Sequence, residues 1–437
     1  MTEASAAATP DQQVHAREKA APISASGGNR LLSLDFTRGI AVMGILAANI
    51  VAFGQPMIAY MWPDAFLTPH GETSDWLWVA QFILIDGKMR GLFTLLFGAG
   101  LLLFLDKAWE RGQGRWLQAR RLFWLLAFGL VHFFFIWKGD ILTLYALCGF
   151  ICLAFVKWKP RTQMGCGIVA FVFGALFIAG MAWFFYWVMQ GGETVPPELL
   201  EQQSKFGMMK TEGIDDAAIE TPLIVSGDYF GWVGHNLSAH AIDPIAGFFF
   251  GFFETIPLIL IGMALYRYGL FDGRINARKQ ATWGAIAVLI GVALSVAIAL
   301  WAYEDGLSFF GTFFAYVGLN SFAQLPYIMG LAALLALIGP KATGWLGSRV
   351  SAAGRMAFSN YLGTSILMLL VFHGFALGLF GELNRPQLYG VVAATWVIML
   401  AWSKAWLSTF RFGPLEWLWR CLTYGKLFPI RREQETP

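Results

Sequence analysis

Long apolar stretches separated by polar segments run along most of this chain. About ten of them are long enough to cross the roughly 30 Å hydrocarbon core of a bilayer. Segments 76–105 and 303–338 each exceed one ordinary span, so each has room for an interfacial or re-entrant piece. The pattern predicts an all-α, polytopic integral membrane protein with about ten transmembrane helices. The stretches begin near Gly39, Leu92, Leu122, Ile141, Gly165, Pro244, Gln280, Phe313, Met356 and Tyr389.

The composition also favours a membrane protein. Of the 437 residues, 57% are hydrophobic and only 14% are charged, whereas about a quarter are charged in a typical soluble domain. The 19 tryptophans and 39 phenylalanines suit interfacial belts and contact with lipid, so membrane lipids are expected partners. A formal net charge of +3 is too small to indicate a nucleic-acid partner.

The distribution of lysine and arginine predicts the orientation of the chain. If both termini are cytoplasmic, all but six of the 31 basic residues fall on the cytoplasmic side. The positive-inside rule favours this arrangement. The six that remain for the outer face are Lys88, Arg90, Lys138, Lys205, Lys210 and Arg385.

The polar ends and loops define the domain organisation. Residues 1–30 are Ala/Ser-rich without the apolar core of a secretory signal, so we expect a disordered cytoplasmic tail. Residues 31–430 are expected to form a single transmembrane helical domain, and residues 431–437 a second cytoplasmic tail. The outer loops 55–75 and 190–243 are long. Because a loop as long as the second is usually functional or disordered, we expect it to cover part of an outer-face cavity.

The segment GLVHFFFIWKGDILTLYAL, residues 129–147, places His132 and Asp140 at membrane depth. Ionisable groups there are costly to insert and indicate functional sites. The tight turn at Gly139 folds Asp140 back towards the helix that bears His132, and a carboxylate that orients an imidazole suits general-base catalysis. We therefore predict His132 and Asp140 as catalytic residues. The alternative is that Asp140 only caps the next helix and that His132 is only a packed, hydrogen-bonded group.

A second group of ionisable residues lies at or beside apolar runs. Asp86, Lys88 and Arg90 directly precede the run that begins near Leu92, and Glu254 lies inside FFETIPLIL. We expect these four residues to bind substrate, because charges at membrane depth mark substrate or ion pathways. The alternative is that the first three pair among themselves at the outer interface.

Cationic and aromatic residues gather near the cytoplasmic ends of several spans. Guanidinium groups bind phosphate bidentately, so a basic, aromatic pocket there would suit the nucleotide part of a cofactor. The alternative is an interfacial belt whose cations extend to lipid headgroups, with Asp35 capping the first helix. The residues expected to bind the cofactor are Arg38, Arg355, Asn360, Arg420 and Lys426.

Three further histidines lie in the outer loops. His70, within LTPHGETSDW, is the alternative catalytic base, although loop histidines are mostly solvated. His235 and His240 are five residues apart, with Asp243 nearby. Because a zinc site needs three or four ligands at favourable spacing, we expect no metal.

Five sequence blocks, from near residue 32 to near residue 428, carry a family resemblance. They are LDFTRGIAVMGIL, KMRGLFTLLFGAG, GLVHFFFIWKGDILTLYA, GRMAFSNYL and FGPLEWLWRCLTYGK. Together they resemble the YeiB-like family of largely uncharacterised bacterial membrane proteins (domain of unknown function 418). DFTRGIAVMGIL and GDILTLYALCGF are also distantly similar to the heparan-alpha-glucosaminide acetyltransferase group. Those enzymes use a histidine in the loop after the first span, where His70 lies here, but Thr143-Leu144 stand where they have Gln-Arg.

The resemblance implies a transmembrane acyltransferase that uses acyl-CoA or acetyl-CoA as co-substrate. Its acceptor would be a small molecule or a glycan on the outer face, and its location the bacterial cytoplasmic (inner) membrane; a homodimer is left open. The alternative is a transporter or flippase of an anionic or amphipathic metabolite. A third hypothesis is a structural membrane protein that catalyses no reaction. The proton relays of such a transporter would be Asp86, His132, Glu254 and His373.

Overall fold

The computed structural model describes residues 31–69, 71–192 and 195–432. The predicted tail 1–30, residues 433–437 and His70 lie outside the described residues. The described part is helical, with one isolated backbone bridge between Phe410 and Arg431. Its α-helices are α1 Leu32–Gly54, α2 Glu72–Leu84, α3 Lys88–Glu110, α4 Arg115–Phe135, α5 Leu142–Cys152, α6 Pro160–Gln190, α7 Leu200–Ser226, α8 Tyr229–Ala239, α9 Asp243–Tyr268, α10 Ala277–Glu304, α11 Phe309–Phe313, α12 Asn320–Ile338, α13 Trp345–Arg355, α14 Ala357–Phe372, α15 Arg385–Thr409 and α16 Pro414–Tyr424.

Seven helical segments in the described part are long and apolar enough to cross a bilayer. An eighth crossing results if α13 and α14, which meet at a bend of 87°, count as one broken span. The predicted all-α, polytopic membrane fold is therefore confirmed. The seven segments are Leu32–Gly54, Glu72–Glu110, Pro160–Gln190, Asp243–Tyr268, Ala277–Glu304, Phe309–Lys341 and Arg385–Thr409.

All ten apolar stretches of the sequence coincide with helices, yet three of these helices are not among the seven candidate spans. One of the three, α14, qualifies only together with α13. With its 11 residues, α5 is about 16 Å long at about 1.5 Å per residue, which is too short to cross a bilayer. The first turns of α4 contain Arg115, Arg120 and Arg121, which lower its mean hydropathy. The apolar pattern thus identifies helices that pack in the membrane, whereas helix length and end charges determine which can cross it.

Both segments that the sequence left ambiguous are interrupted helices. The first breaks between α2 and α3 at Gly87, whose φ of 74° lies in the left-handed region that favours glycine. The second contains the π-helical turn Phe314–Leu319 between α11 and α12. Such turns occur often at functional sites, and both interruptions contribute residues to the site described below.

The helices α1 and α13 cross with their backbones in contact. A Cβ atom on Gly39 would lie 2.1 Å from the Val350 carbonyl oxygen, and one on Gly354 would lie 1.8 Å from the Asp35 carbonyl oxygen. Small residues at helix crossings allow this close approach in membranes. The two glycines therefore fix the position of the bend between α13 and α14 against α1.

We expect Gly354→Ala to lower the free energy of unfolding by about 1–3 kcal/mol, because the added methyl must displace the backbone of α1. Gly363→Ala, in α14, is the matched control, since a Cβ there meets nothing within 4 Å. Removing a helical glycine at an open position costs nothing and adds up to about 1 kcal/mol of helix propensity. SDS-titrated unfolding in mixed micelles measures both variants, and equal stabilities would contradict the tight crossing.

Segment 190–243, which the sequence predicts as a long outer loop, is mostly helical in the described part, because it contains α7 and α8. The Asp228 carboxylate accepts a hydrogen bond of 2.9 Å from the Gly231 N–H and so caps α8. The Tyr229 hydroxyl donates to the Phe135 carbonyl at the end of α4, at 2.7 Å. The segment therefore packs on the end of α4, and residues of both its helices line a small cavity of about 40 Å³.

Candidate active site

The turn between α4 and α5 brings His132 and Asp140 into direct contact. His132 Nδ1 lies 2.8 Å from Asp140 Oδ1, and both side chains are fully buried. Asp140 Oδ2 accepts a hydrogen bond of 2.8 Å from the Thr143 N–H in the first turn of α5. Gly129 leaves room for this arrangement, since a Cβ there would lie 2.9 Å from Asp140 Oδ2. One carboxylate oxygen therefore caps α5 while the other orients the imidazole.

The second nitrogen of His132 points away from Asp140. His132 Nε2 is buried and has no hydrogen-bond partner among the described residues. Because the carboxylate at Nδ1 favours a proton on that nitrogen, Nε2 carries the lone pair. The imidazole centroid lies 5.1 Å from the Tyr361 ring and 6.3 Å from the Trp137 ring. An oriented imidazole with a lone pair on Nε2 has the form that a general base requires.

A half-open cavity of about 450 Å³ lies between helices of the bundle. Trp137, Gly139 and Ile141 from the α4–α5 turn line one part of it. Glycine and phenylalanine residues of α6 and α9 line another part, and polar side chains of α3 and α12 a third. His132 is not among the lining residues, although its neighbour Trp137 is. A cavity of this size and mixed lining suits a small or amphipathic ligand.

An ion pair at the cavity joins three helices. Arg90 Nη2 of α3 lies 2.7 Å from Glu254 Oε2 of α9. Gln324 Nε2 of α12 donates to the other carboxylate oxygen, Glu254 Oε1, at 2.8 Å. A charge at membrane depth is tolerated when it is paired or faces a cavity, and this pair meets both conditions. Arg90 and Glu254, both predicted to bind substrate, therefore lie at the same cavity. Their role in substrate binding stays a prediction.

Asp86 and Lys88 lie at the break between α2 and α3 and bond to other residues. The fully buried Lys88 ammonium donates to the Phe82 carbonyl at 2.6 Å and to Asn320 Oδ1 at 2.8 Å. Asp86 accepts a hydrogen bond from the Tyr316 hydroxyl of the π-helical turn. Each of Asp86, Lys88 and Arg90 therefore has a partner far away in sequence, while Asp86 and Lys88 also interact through their opposite charges.

Sequence analysis missed several members of this polar network. The buried Arg385 donates from Nη1 to Gln81 Oε1 at 3.2 Å, and the Tyr389 hydroxyl donates to the same oxygen at 2.6 Å. Gln81 Nε2 in turn donates to Asp86 Oδ1 at 3.0 Å. The sequence placed Arg385 only as an outer-face cation. Amide side chains inside predicted spans, such as Gln81 and Gln324, are the signal that could have identified the network.

The helices α1, α4 and α16 bring together three arginines, Arg38, Arg121 and Arg420. Arg121 lies close enough to Arg38 and Arg420 for the like charges to repel each other. Its guanidinium lies between two aromatic rings, 4.7 Å from the centroid of Phe104 and 4.2 Å from that of Trp419. Arg121 was not among the predicted cofactor-binding residues, yet it lies close to two that were, Arg38 and Arg420. A cluster of guanidinium groups in an aromatic setting suits a polyanion.

The other predicted cofactor-binding residues are placed differently. The two N–H groups of Asn360 donate to the Ala353 carbonyl and to Ser403 Oγ, each at 3.0 Å, and its oxygen accepts from the Trp402 indole at 2.9 Å. Asn360 therefore holds the bend between α13 and α14 against α15. Arg355 donates to a backbone carbonyl 3.5 Å away, and Lys426 is exposed just after α16. Their role in cofactor binding stays a prediction.

Glu416 of α16 caps the helix that follows the bend. Its Oε1 accepts from the backbone N–H groups of Phe358 and Ser359, at 2.9 and 3.0 Å, and its Oε2 accepts from the Ser359 hydroxyl. Burial raises the pKa of the Glu416 carboxyl, and these hydrogen bonds lower it by less. Carboxylates are stabilising at a helix N-terminus, so Glu416 joins α16 to α14.

Beside the α4–α5 turn, segment 190–243 contributes a group of possible metal ligands. One ligand atom from each of Asp216, Glu220, His235 and His240 lies within 4.8 Å of all the others. Lys138, two residues before Asp140, lies 2.7 Å from both carboxylates. Burial raises the pKa of Asp216, but the hydrogen bonds from His240, Lys138 and His235 outweigh it and hold that pKa well below its usual range.

Comparisons with known proteins match nearly the whole chain. A family model described as a protein of unknown function, DUF418, matches residues 265–426. "Uncharacterized protein YeiB" of Escherichia coli (strain K12) is 32% identical over 424 residues, which cover 90% of this chain and 96% of the relative. "Uncharacterized protein YxaH" of Bacillus subtilis (strain 168) is 29% identical over 418 residues, which cover 92% and 96%. No solved structure matches.

Proposed function

We propose that this chain, which belongs to the YeiB-like family, transfers an acyl group from cytoplasmic acyl-CoA to a hydroxyl or amine on the outer face. The proposal is argued from the chemistry of the chain's own residues. The observation that carries the proposal is the 2.8 Å contact between His132 Nδ1 and Asp140 Oδ1, with the lone pair left on Nε2. In the proposed step Nε2 takes the proton of the acceptor, which attacks the thioester carbonyl carbon. The C–S bond then breaks, and the CoA thiolate takes up the proton.

The cavity supports this proposal as the place where the acceptor meets the acyl chain. It has a volume of about 450 Å³ and combines apolar walls with the Arg90–Glu254 pair, which suits an acceptor with both polar and apolar parts. Access to His132 requires motion of Trp137, because that indole lines the cavity and packs beside the imidazole. Exclusion of water by the surrounding bundle would protect the thioester from hydrolysis.

The inner-face arginines support binding of the CoA phosphates. We propose that Arg38, Arg121 and Arg420 bind them from the cytoplasmic side, since guanidinium groups form bidentate hydrogen bonds with phosphate. Arg355, Asn360 and Lys426 are proposed as further contacts. The residues fit a polyanion in charge, and Trp419 and Phe412, whose ring lies 4.0 Å from the Arg420 guanidinium, offer aromatic surfaces for an adenine ring.

We expect Arg420→Gln to weaken acyl-CoA binding by roughly 10–100-fold, since a hydrogen bond to a charged group contributes about 1.5–3 kcal/mol. Equilibrium dialysis of purified protein in lipid nanodiscs with acetyl-CoA and palmitoyl-CoA measures this. Arg349→Gln is the matched control, because Arg349 stacks on Trp345 of its own helix and is expected to leave affinity unchanged. If the wild-type protein binds neither thioester, the acyltransferase proposal fails.

A transporter or flippase is the second candidate, favoured by one specific observation. The Arg90–Glu254 pair and Gln324 belong to three different helices and face one cavity, as in transporters that bind substrate at a helix junction. This candidate predicts substrate-dependent proton movement in proteoliposomes without any acyl-CoA. CoA release from acyl-CoA without such proton movement would exclude it.

We also propose that the chain lies in the bacterial cytoplasmic membrane with its arginine-rich segments inside. Ser204→Cys in the outer segment, made in a Cys166→Ser background that removes the exposed native thiol, is expected to react with a membrane-impermeant maleimide in intact cells. Ser348→Cys, beside Arg349 on the inner side, is expected to react only after lysis. Positive-inside orientation is the reason, and the reverse labelling pattern would overturn it.

A further inference from the structure

The outer segment holds a histidine and carboxylate cluster that the acyl-transfer step does not use. Asp216 and Glu220 lie one turn apart on α7, His235 lies on α8, and His240 directly follows that helix. Both His235 Nε2 and His240 Nε2 lie 3.0 Å from the same oxygen, Asp216 Oδ1. Two imidazoles therefore point the same nitrogen at one carboxylate oxygen.

The contact made by the other ring nitrogen of His240, Nδ1, indicates which nitrogen of the neutral imidazole carries the proton. His240 Nδ1 lies 2.7 Å from Asp243 Oδ2, so in the neutral imidazole Nδ1 donates its proton there and Nε2 carries the lone pair. That lone pair would face the lone pairs of Asp216 Oδ1, which is repulsive unless a positive centre lies between them.

Glu220 supplies an independent observation. The side chain is 7% exposed, and its Oε1 has no hydrogen-bond partner among the described residues. Leaving a buried carboxylate oxygen without a partner is costly. Its other oxygen, Oε2, and the second oxygen of Asp216, Oδ2, each lie 2.7 Å from the Lys138 ammonium. Lys138 thus orients both carboxylates and contacts only one oxygen of each.

From this geometry we infer that Asp216, Glu220, His235 and His240 bind a divalent transition-metal ion of the zinc class. Four ligands around zinc, at about 2.0–2.1 Å each, stand about 3.3 Å apart, close to the 3.0 Å separations here. Asp243 would orient His240 from behind, as carboxylates do for zinc-bound imidazoles. Two neutral imidazoles, three carboxylates, one ammonium and a divalent cation leave no net charge.

Such a site would have a structural role, because four protein ligands leave no open position for chemistry. The metal would join α7 to α8, and Lys138 would connect both to the turn that contains Asp140. The inference does not depend on the acyltransferase proposal, since it concerns residues outside the proposed reaction. Nitrogen and carboxylate ligands favour zinc, with nickel and copper as competitors.

The test is metal binding by the full-length protein. Protein purified in detergent, stripped with EDTA and dialysed against Zn²⁺ is expected to retain about one ion per chain, measured by elemental mass spectrometry. His235→Ala and Asp216→Asn are expected to lose the ion. Asp243→Asn is expected to keep the stoichiometry but to weaken affinity by about 10–100-fold, as loss of an outer partner does. Glu201→Gln, an exposed carboxylate change on α7, is the matched control and keeps both.

A second measurement separates loss of the site from loss of the fold. Stripped wild-type protein loaded with Co²⁺ is expected to show the visible absorption of a tetrahedral nitrogen and oxygen site, and size-exclusion elution shows that each variant remains folded. Wild-type protein that binds no Zn²⁺ and no Co²⁺ would overturn the inference. So would folded His235→Ala and Asp216→Asn variants that both retain a full complement of metal.

Discussion

Replacing His132 with alanine is expected to lower CoA release in the presence of acceptor by about 10²–10⁴-fold, the usual contribution of a general base. The reason is that His132 Nε2 carries the lone pair that accepts the proton of the acceptor. Asp140 then stabilises the imidazolium that His132 becomes. A thiol-reactive dye that reports free CoA, with purified protein in nanodiscs and acyl-CoA supplied in excess, measures the rate.

Asp140→Asn distinguishes catalysis from helix capping. An asparagine oxygen can still accept the Thr143 N–H, so α5 keeps its cap, but a neutral amide cannot stabilise an imidazolium. We therefore expect wild-type stability with a large loss of rate. Gln118→Leu is the matched control, because Gln118 is a buried polar residue of α4, the helix that contains His132. Gln118 has no role in the proposed reaction. Full activity in both His132→Ala and Asp140→Asn would refute the dyad.

Breaking the Arg90–Glu254 pair is expected to have the largest effect on stability. Arg90→Met leaves Glu254 as a partly buried carboxylate without its cation, and removing one partner of such a pair costs about 3–5 kcal/mol. Because the pair also faces the cavity, with 38% of the Arg90 side chain exposed, we expect the lower end, about 3 kcal/mol. SDS-titrated unfolding in mixed micelles measures the change.

The double variant Arg90→Met/Glu254→Met provides the control for this experiment. It removes both charges together, and replacing a whole buried pair with apolar residues is often close to neutral. We therefore expect the double variant to be more stable than Arg90→Met alone. If the loss of stability in the double variant equals the sum of the losses in Arg90→Met and Glu254→Met, the contact of 2.7 Å contributes nothing to stability.

The His132–Asp140 contact is predictable because it is local. The two residues are eight positions apart and joined by one tight turn, so helix geometry alone limits how far they can separate. The contact distance of 2.8 Å agrees with that expectation. His132 could not be placed relative to the cavity in this way, since that depends on how Trp137 packs against helices far away in sequence.

The sequence alone could not identify long-range partners. Arg90 and Glu254 are 164 positions apart, and each was recognised as an ionisable group at membrane depth without its partner. His235 and His240 were judged poor metal ligands because neighbouring residues supply only Asp243. The further proposed ligands, Asp216 and Glu220, come from a helix that the sequence treated as a loop.

The chain by itself determined the helical membrane fold, because hydropathy and helical periodicity act over one or two turns and need no distant partner. Only the tertiary structure decided which charges meet, which helices are long enough to cross, and where the interior stays hollow. Those outcomes depend on close packing between helices, such as Gly354 against α1. A difference of one methyl group changes that packing while the hydropathy pattern hardly changes.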